Sequence, residues 1–95
     1  MKKVVVIYTM KTCPFCSEVK EMLKEEGINF YTRDIDEHKD EYDSFVELTS
    51  NDYLPAFSIL TLNEELNVDK YEYMVPEESF QSLEEAVEKI KKHVL

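Results

Sequence analysis

Cys13 and Cys16 are the only cysteines in the chain, and they stand two residues apart in the stretch Thr12-Cys13-Pro14-Phe15-Cys16. A pair at this spacing can make and break a disulfide, supply two ligands of a zinc or iron–sulfur site, or pack as two small apolar side chains. A metal centre held by one chain usually takes four protein ligands. Beyond the two cysteines the chain has only His38 and His93, which are expected to be far apart and exposed, so no metal site is assigned. Two buried structural cysteines, or a cluster shared between two subunits that each give one cysteine, stand beside the redox reading as alternatives.

The flanking residues favour redox chemistry. Residues 4–8, Val-Val-Val-Ile-Tyr, form a β-branched apolar run without alternation, as in a strand buried on both faces. Phe15, Val19, Met22 and Leu23 then recur at helical spacing, with Pro14 acceptable in a first turn and Gly27 where a C-cap is expected. Cys13 thus leaves a strand and enters a helix, which puts its sulfur among unpaired backbone N–H groups at the positive end of the helix dipole. Such a position favours the thiolate, and Lys11 adds to the effect. Cys16, one turn further in, is placed to attack a mixed disulfide formed by Cys13.

The remaining elements supply the frame. Ile28, Phe30 and Thr32 alternate with polar neighbours and predict a second strand that ends near Ile35. Tyr42, Phe45, Val46 and Thr49 share one face of a helix between Asp36 and Ser50, with acidic residues at its start. Pro55 precedes the strand-like residues 56–62. Residues 63–67 read as a turn, and the alternation over 68–75 completes an antiparallel hairpin. Leu83, Ala86, Val87, Ile90 and Val94 form an apolar helical stripe that begins with the capping pattern of Ser82 and Glu85. The order is β-α-β-α-β-β-α, an α/β fold with a four-stranded mixed sheet and three helices, in a single domain over residues 1–95.

Charge and hydropathy narrow the function classes. The formal net charge is −10, yet the first 24 residues hold five lysines against Glu18 and Glu21 and are net basic. An acidic body argues against nucleic acid as a partner, because phosphate contacts need a basic surface. A basic end around the cysteines fits an anionic substrate. No apolar run approaches the roughly 18 residues that span a bilayer, and residues 4–8 are too few for a signal-peptide core. The expected location is the cytoplasm, where structural disulfides are uncommon and a Cys-x-x-Cys pair is more often catalytic or metal-binding.

The stretches VVVIYTMKTCPFC, GINFYTRDID and YLPAFSIL resemble the glutaredoxin family of the thioredoxin fold, in the family's order and over about the first 60 residues. The family's dithiol signature is Cys-Pro-aromatic-Cys, with Phe15 here where Tyr is usual. The resemblance implies that Cys13 is the nucleophile, that Cys16 resolves, and that Pro55 is a cis-proline lying against the disulfide. It also implies a glutathione groove in which the Leu54 backbone pairs with the glutathione cysteine, Phe15 lines the wall, and Lys11 reaches a carboxylate. Two features depart from the family. Met10 occupies the place where a basic residue is usual, and the Gly-Gly pair expected after the fourth strand is replaced by Val75-Pro76 in YMVPEESF.

The function implied is a dithiol oxidoreductase that reduces protein disulfides or glutathione mixed disulfides. Glutathione would be its reductant, no cofactor would be tightly bound, and the protein would be a monomer. The missing Gly-Gly favours an alternative with the same chemistry, a donor reduced by thioredoxin reductase that serves, for example, ribonucleotide reductase. A non-enzymatic thioredoxin-fold or iron–sulfur module is the third reading. Cluster-binding relatives tend to lack a proline where Pro14 stands.

Overall fold

A computed structural model describes residues 2–94. The elements are β1 (Lys2–Thr9), α1 (Pro14–Glu25), β2 (Tyr31–Asp34), α2 (Lys39–Thr49), β3 (Ala56–Leu62), β4 (Val68–Met74) and α3 (Leu83–Val94). They form one sheet in the order β2-β1-β3-β4, with helices on both faces. The β1-α1-β2 unit is a parallel crossover, with Val6 opposite Tyr31 and Thr9 opposite Asp34. β3 runs antiparallel to β1 and to β4, and the β3–β4 register shifts at Thr61 and Leu62. Among the described residues no helix is long and apolar enough to cross a membrane.

The alternating direction of strand side chains divides the interior into two cores. Val5, Ile7, Phe57, Ile59 and Met74 point toward α1 and α3, which pack together and bury Val19, Leu23, Ala86, Val87 and Ile90. Tyr8, Ala56 and Val75 point the other way and meet Tyr42 and Phe45 of α2. The second core is aromatic, with the Tyr8 and Phe45 rings centred 4.7 Å apart.

Element boundaries differ from expectation in two places. β1 begins at Lys2 because Lys2 and Lys3 pair with Leu62 and Thr61, so the ladder extends beyond the apolar run. β2 covers four residues and leaves Ile28 and Phe30 outside it. Gly27 turns the chain at φ 72°, and the Ile28 N–H donates to the Leu23 carbonyl, so Ile28 enters the core as the tail of α1. Its alternation with Phe30 comes from packing and not from strand pairing. The last helix starts as expected, with the Ser82 hydroxyl accepting from the Glu85 N–H at 3.1 Å and the Glu85 carboxylate accepting from the Gln81 N–H at 2.6 Å.

Candidate active site

Cys13 is the N-cap of α1, with extended backbone (φ −103°, ψ 100°), and Pro14 opens the helix where a missing N–H costs nothing. The Cys16 N–H donates to Cys13 Sγ at 3.1 Å, and the Cys13 N–H donates to the Met10 carbonyl at 3.2 Å. Cys13 and Cys16 are joined in a disulfide with Cα atoms 5.3 Å apart. The two sulfurs are not equivalent: Cys13 is half-buried, whereas Cys16 is 1% exposed. An incoming thiol or disulfide can reach Cys13 but not Cys16. In the reduced protein, the N–H that now meets Cys13 Sγ and the dipole of α1 both favour a thiolate at that position.

Beside the disulfide lies a groove of about 360 Å³. Phe15, Tyr53, Leu54, Pro55, Pro76, Glu77 and Gln81 are among the residues that line it. The Leu54–Pro55 peptide bond is cis. Phe15 and Tyr53 are 60% and 59% exposed, so the mouth of the groove is aromatic and open to solvent. Among the described residues that line it, Glu77 is the charged one, and no cation takes part.

The wall after β4 is built by short-range bonds within the loop and by the side chains of Asn51 and Lys89, which reach it from elsewhere. The Val75 N–H donates to Ser79 Oγ, the Ser79 N–H donates to the Val75 carbonyl, and the Glu77 N–H donates to the Phe80 carbonyl. The side chain of Gln81 donates to the Glu77 carbonyl at 2.8 Å, and that of Asn51 donates to the Pro76 carbonyl at 2.9 Å. Lys89 donates to the Ser79 carbonyl. Glu77 itself has φ 72°, left-handed for a residue with a side chain.

Of the residues singled out in the sequence, Phe15, Leu54 and Pro55 meet in this groove next to Cys13 and Cys16. Lys11 lines a separate cleft of about 290 Å³ with Thr9, Met10, Lys20, Asp34 and His38, and the two clefts share no lining residue. His38 is exposed and precedes α2. His93 departs from the expected exposed position: it is half-buried, with Nδ1 2.8 Å from Glu72 Oε2. Burial pushes the Glu72 carboxyl up, but Lys70, His93 and Lys3 outweigh it and hold it below the usual carboxylate range.

Tyr53 and Gln81 line the groove and Asn51 bonds its wall at Pro76, and sequence reasoning selected none of the three. Tyr53 had a signal in its place directly before Leu54-Pro55. Asn51 and Gln81 had none, since each acts through a bond to a distant or irregular stretch of backbone.

A model of the family described as Glutaredoxin matches residues 5–59, a span that holds Lys11, Cys13, Phe15, Cys16, Leu54 and Pro55. No curated protein matches the chain. Among solved structures, Plasmodium falciparum thioredoxin is similar at a TM-score of 0.60 and 15% identity, over 98% of this chain and 72% of that one. A structure described as that of a malarial protein is similar at a TM-score of 0.52 and 18% identity, covering 100% of both chains. At these identities the likeness shows the fold, a four-stranded mixed sheet and three helices in thioredoxin order.

Proposed function

The chain belongs to the glutaredoxin family and is a thiol–disulfide oxidoreductase, and from that premise we propose that it reduces disulfides by a dithiol cycle with Cys13 as nucleophile and Cys16 as resolving thiol. The observation that carries this assignment is the inequality of the two sulfurs: Cys13 is accessible at the cap of α1, and Cys16 is buried behind it. The Cys13 thiolate attacks one sulfur of the substrate disulfide, forms a mixed disulfide and releases the other sulfur as a thiolate. Cys16 loses its proton and attacks Cys13 Sγ, which releases the second substrate thiolate and leaves the Cys13–Cys16 disulfide. Two electrons have passed to the substrate.

Glutathione is the reductant of this reading. One molecule attacks Cys13 Sγ and releases the Cys16 thiolate, and a second attacks the glutathione sulfur of the resulting mixed disulfide, which releases the Cys13 thiolate and glutathione disulfide. The Leu54 backbone beside cis-Pro55 is the surface on which a bound cysteine would pair, with Phe15 against it. A second reading keeps the cycle and replaces glutathione with thioredoxin reductase. It is favoured by the wall after β4, where Pro76 has no N–H to offer and the N–H groups of Val75, Glu77 and Ser79 are already engaged within the loop.

The deciding experiment is steady-state reduction of a peptide mixed disulfide with glutathione, glutathione reductase and NADPH, for the wild type and for Cys13→Ser. Turnover that disappears in Cys13→Ser supports Cys13 as the nucleophile and glutathione as the reductant. Turnover only when thioredoxin reductase is supplied moves the electron source to the second reading. Equal rates in both proteins would remove Cys13 from the reaction.

A further inference from the structure

We propose that the groove beside Cys13 selects polypeptide disulfides that carry a lysine or arginine within two residues of the reacting cysteine, and that Glu77 makes the selection. The inference rests on the dithiol reading above and adds to it the class of substrate.

Glu77 is the charged residue among those lining the groove, and among the described residues it has no ion-pair partner. Lys89, which reaches the same loop, is engaged at the Ser79 carbonyl. Glu77 is also held in place: its N–H donates to the Phe80 carbonyl, its own carbonyl accepts from Gln81, and its φ is 72°. A pinned backbone fixes the Cβ from which the carboxylate reaches, so only the side chain must be ordered when a cation binds. In the same groove, the exposed rings of Phe15 and Tyr53 suit the alkyl stem of a lysine or the plane of an arginine.

Glutathione carries two carboxylates and one ammonium, and among the described residues no cation lines the groove to receive the carboxylates, so it gains no such attraction there. A basic peptide does. The chain as a whole, at −10, also draws cationic partners over longer range, so a test must separate Glu77 from the general field.

Three peptide mixed disulfides, identical except for Lys, Gln or Glu beside the cysteine, are compared by kcat/KM at low salt. The wild type is expected to prefer the Lys peptide over the Glu peptide by roughly three- to tenfold. Glu77→Gln should bring that ratio close to one, and Glu77→Lys should invert it. Glu64→Gln, the same charge change in the β3–β4 turn, should leave it as it is. Circular dichroism and a urea melt establish that each variant is folded. A wild-type ratio near one, a ratio that survives Glu77→Gln, or an equal loss in Glu64→Gln would overturn the proposal. If the wild type and Cys13→Ser are indistinguishable on the Gln peptide, the dithiol reading falls and this inference falls with it. Turnover of that peptide without Glu77-dependent ranking overturns the selectivity alone.

Discussion

The clefts that hold Phe15 and Lys11 are unlike in composition and in attachment. The first is aromatic and apolar around one carboxylate, and it shares Phe80 with the core under α1 and α3. The second is lined by Thr9, Lys11, Lys20, Asp34, Glu37 and His38 at the ends of β1 and β2, and none of its residues belongs to either core. The groove is therefore tied to the stability of the fold, while the polar cleft is a surface whose influence is electrostatic and screened by salt. Changes on one flank should register in unfolding and in substrate recognition. Changes on the other should register mainly in ionic-strength dependence.

The strongest challenge to this contrast is Phe80→Ala. Phe80 is buried and packs edge-on against Phe57 with ring centroids 5.7 Å apart, so its truncation should cost about 3–5 kcal/mol in urea unfolding and open the groove. A loss below about 1 kcal/mol would mean that groove and core are not coupled. Phe15→Ala tests recognition without stability. The ring is 60% exposed, so unfolding should shift by less than about 0.5 kcal/mol, while kcat/KM for peptide disulfides should fall by roughly tenfold.

Ser82→Ala removes the cap that starts α3 in the lining of the groove, and about 1 kcal/mol of stability should be lost, with a higher KM for peptide substrates. The smallest effect is expected on the other flank. Lys11→Gln should alter kcat/KM for an anionic disulfide by no more than about threefold, and the change should disappear near 0.5 M salt, where the screening length is about 4 Å. An effect of Lys11→Gln that persists at that salt would place Lys11 in direct contact with substrate.

Much of this arrangement is legible in the sequence because it follows from local rules. Val19 and Leu23 recur at helical spacing, Gly27 ends the helix, and Ser82 with Glu85 begins another. The position of Cys13 between β1 and α1 follows from the same pattern. Phe15 fits the apolar spacing of α1 as well, yet it lies outside the core, 60% exposed in the lining of the groove, while Cys16 beside it in the same turn is buried. Ile28 and Phe30 mimic a strand since packing against a core from a loop also produces alternation. The groove wall is not legible. The bonds from Ser79 to Val75, from Gln81 to Glu77 and from Asn51 to Pro76 obey no period, and the last crosses 25 positions. His93 escapes for a similar reason, since its partner Glu72 is on a different element.

The chain holds one glycine, Gly27, and among the described residues three further left-handed turns fall to Ser50, Leu66 and Glu77. A left-handed conformation costs a residue with a side chain roughly 1–2 kcal/mol, so two of these turns are open to improvement by design. Leu66, exposed in the β3–β4 turn, could become glycine and leave a tougher protein with its chemistry intact. Glu77→Gly would relieve the same local strain but delete the one carboxylate that faces the groove. Selection for heat resistance alone would treat the two positions alike, and selection that also demands a choice of substrate would let Leu66 drift and keep Glu77.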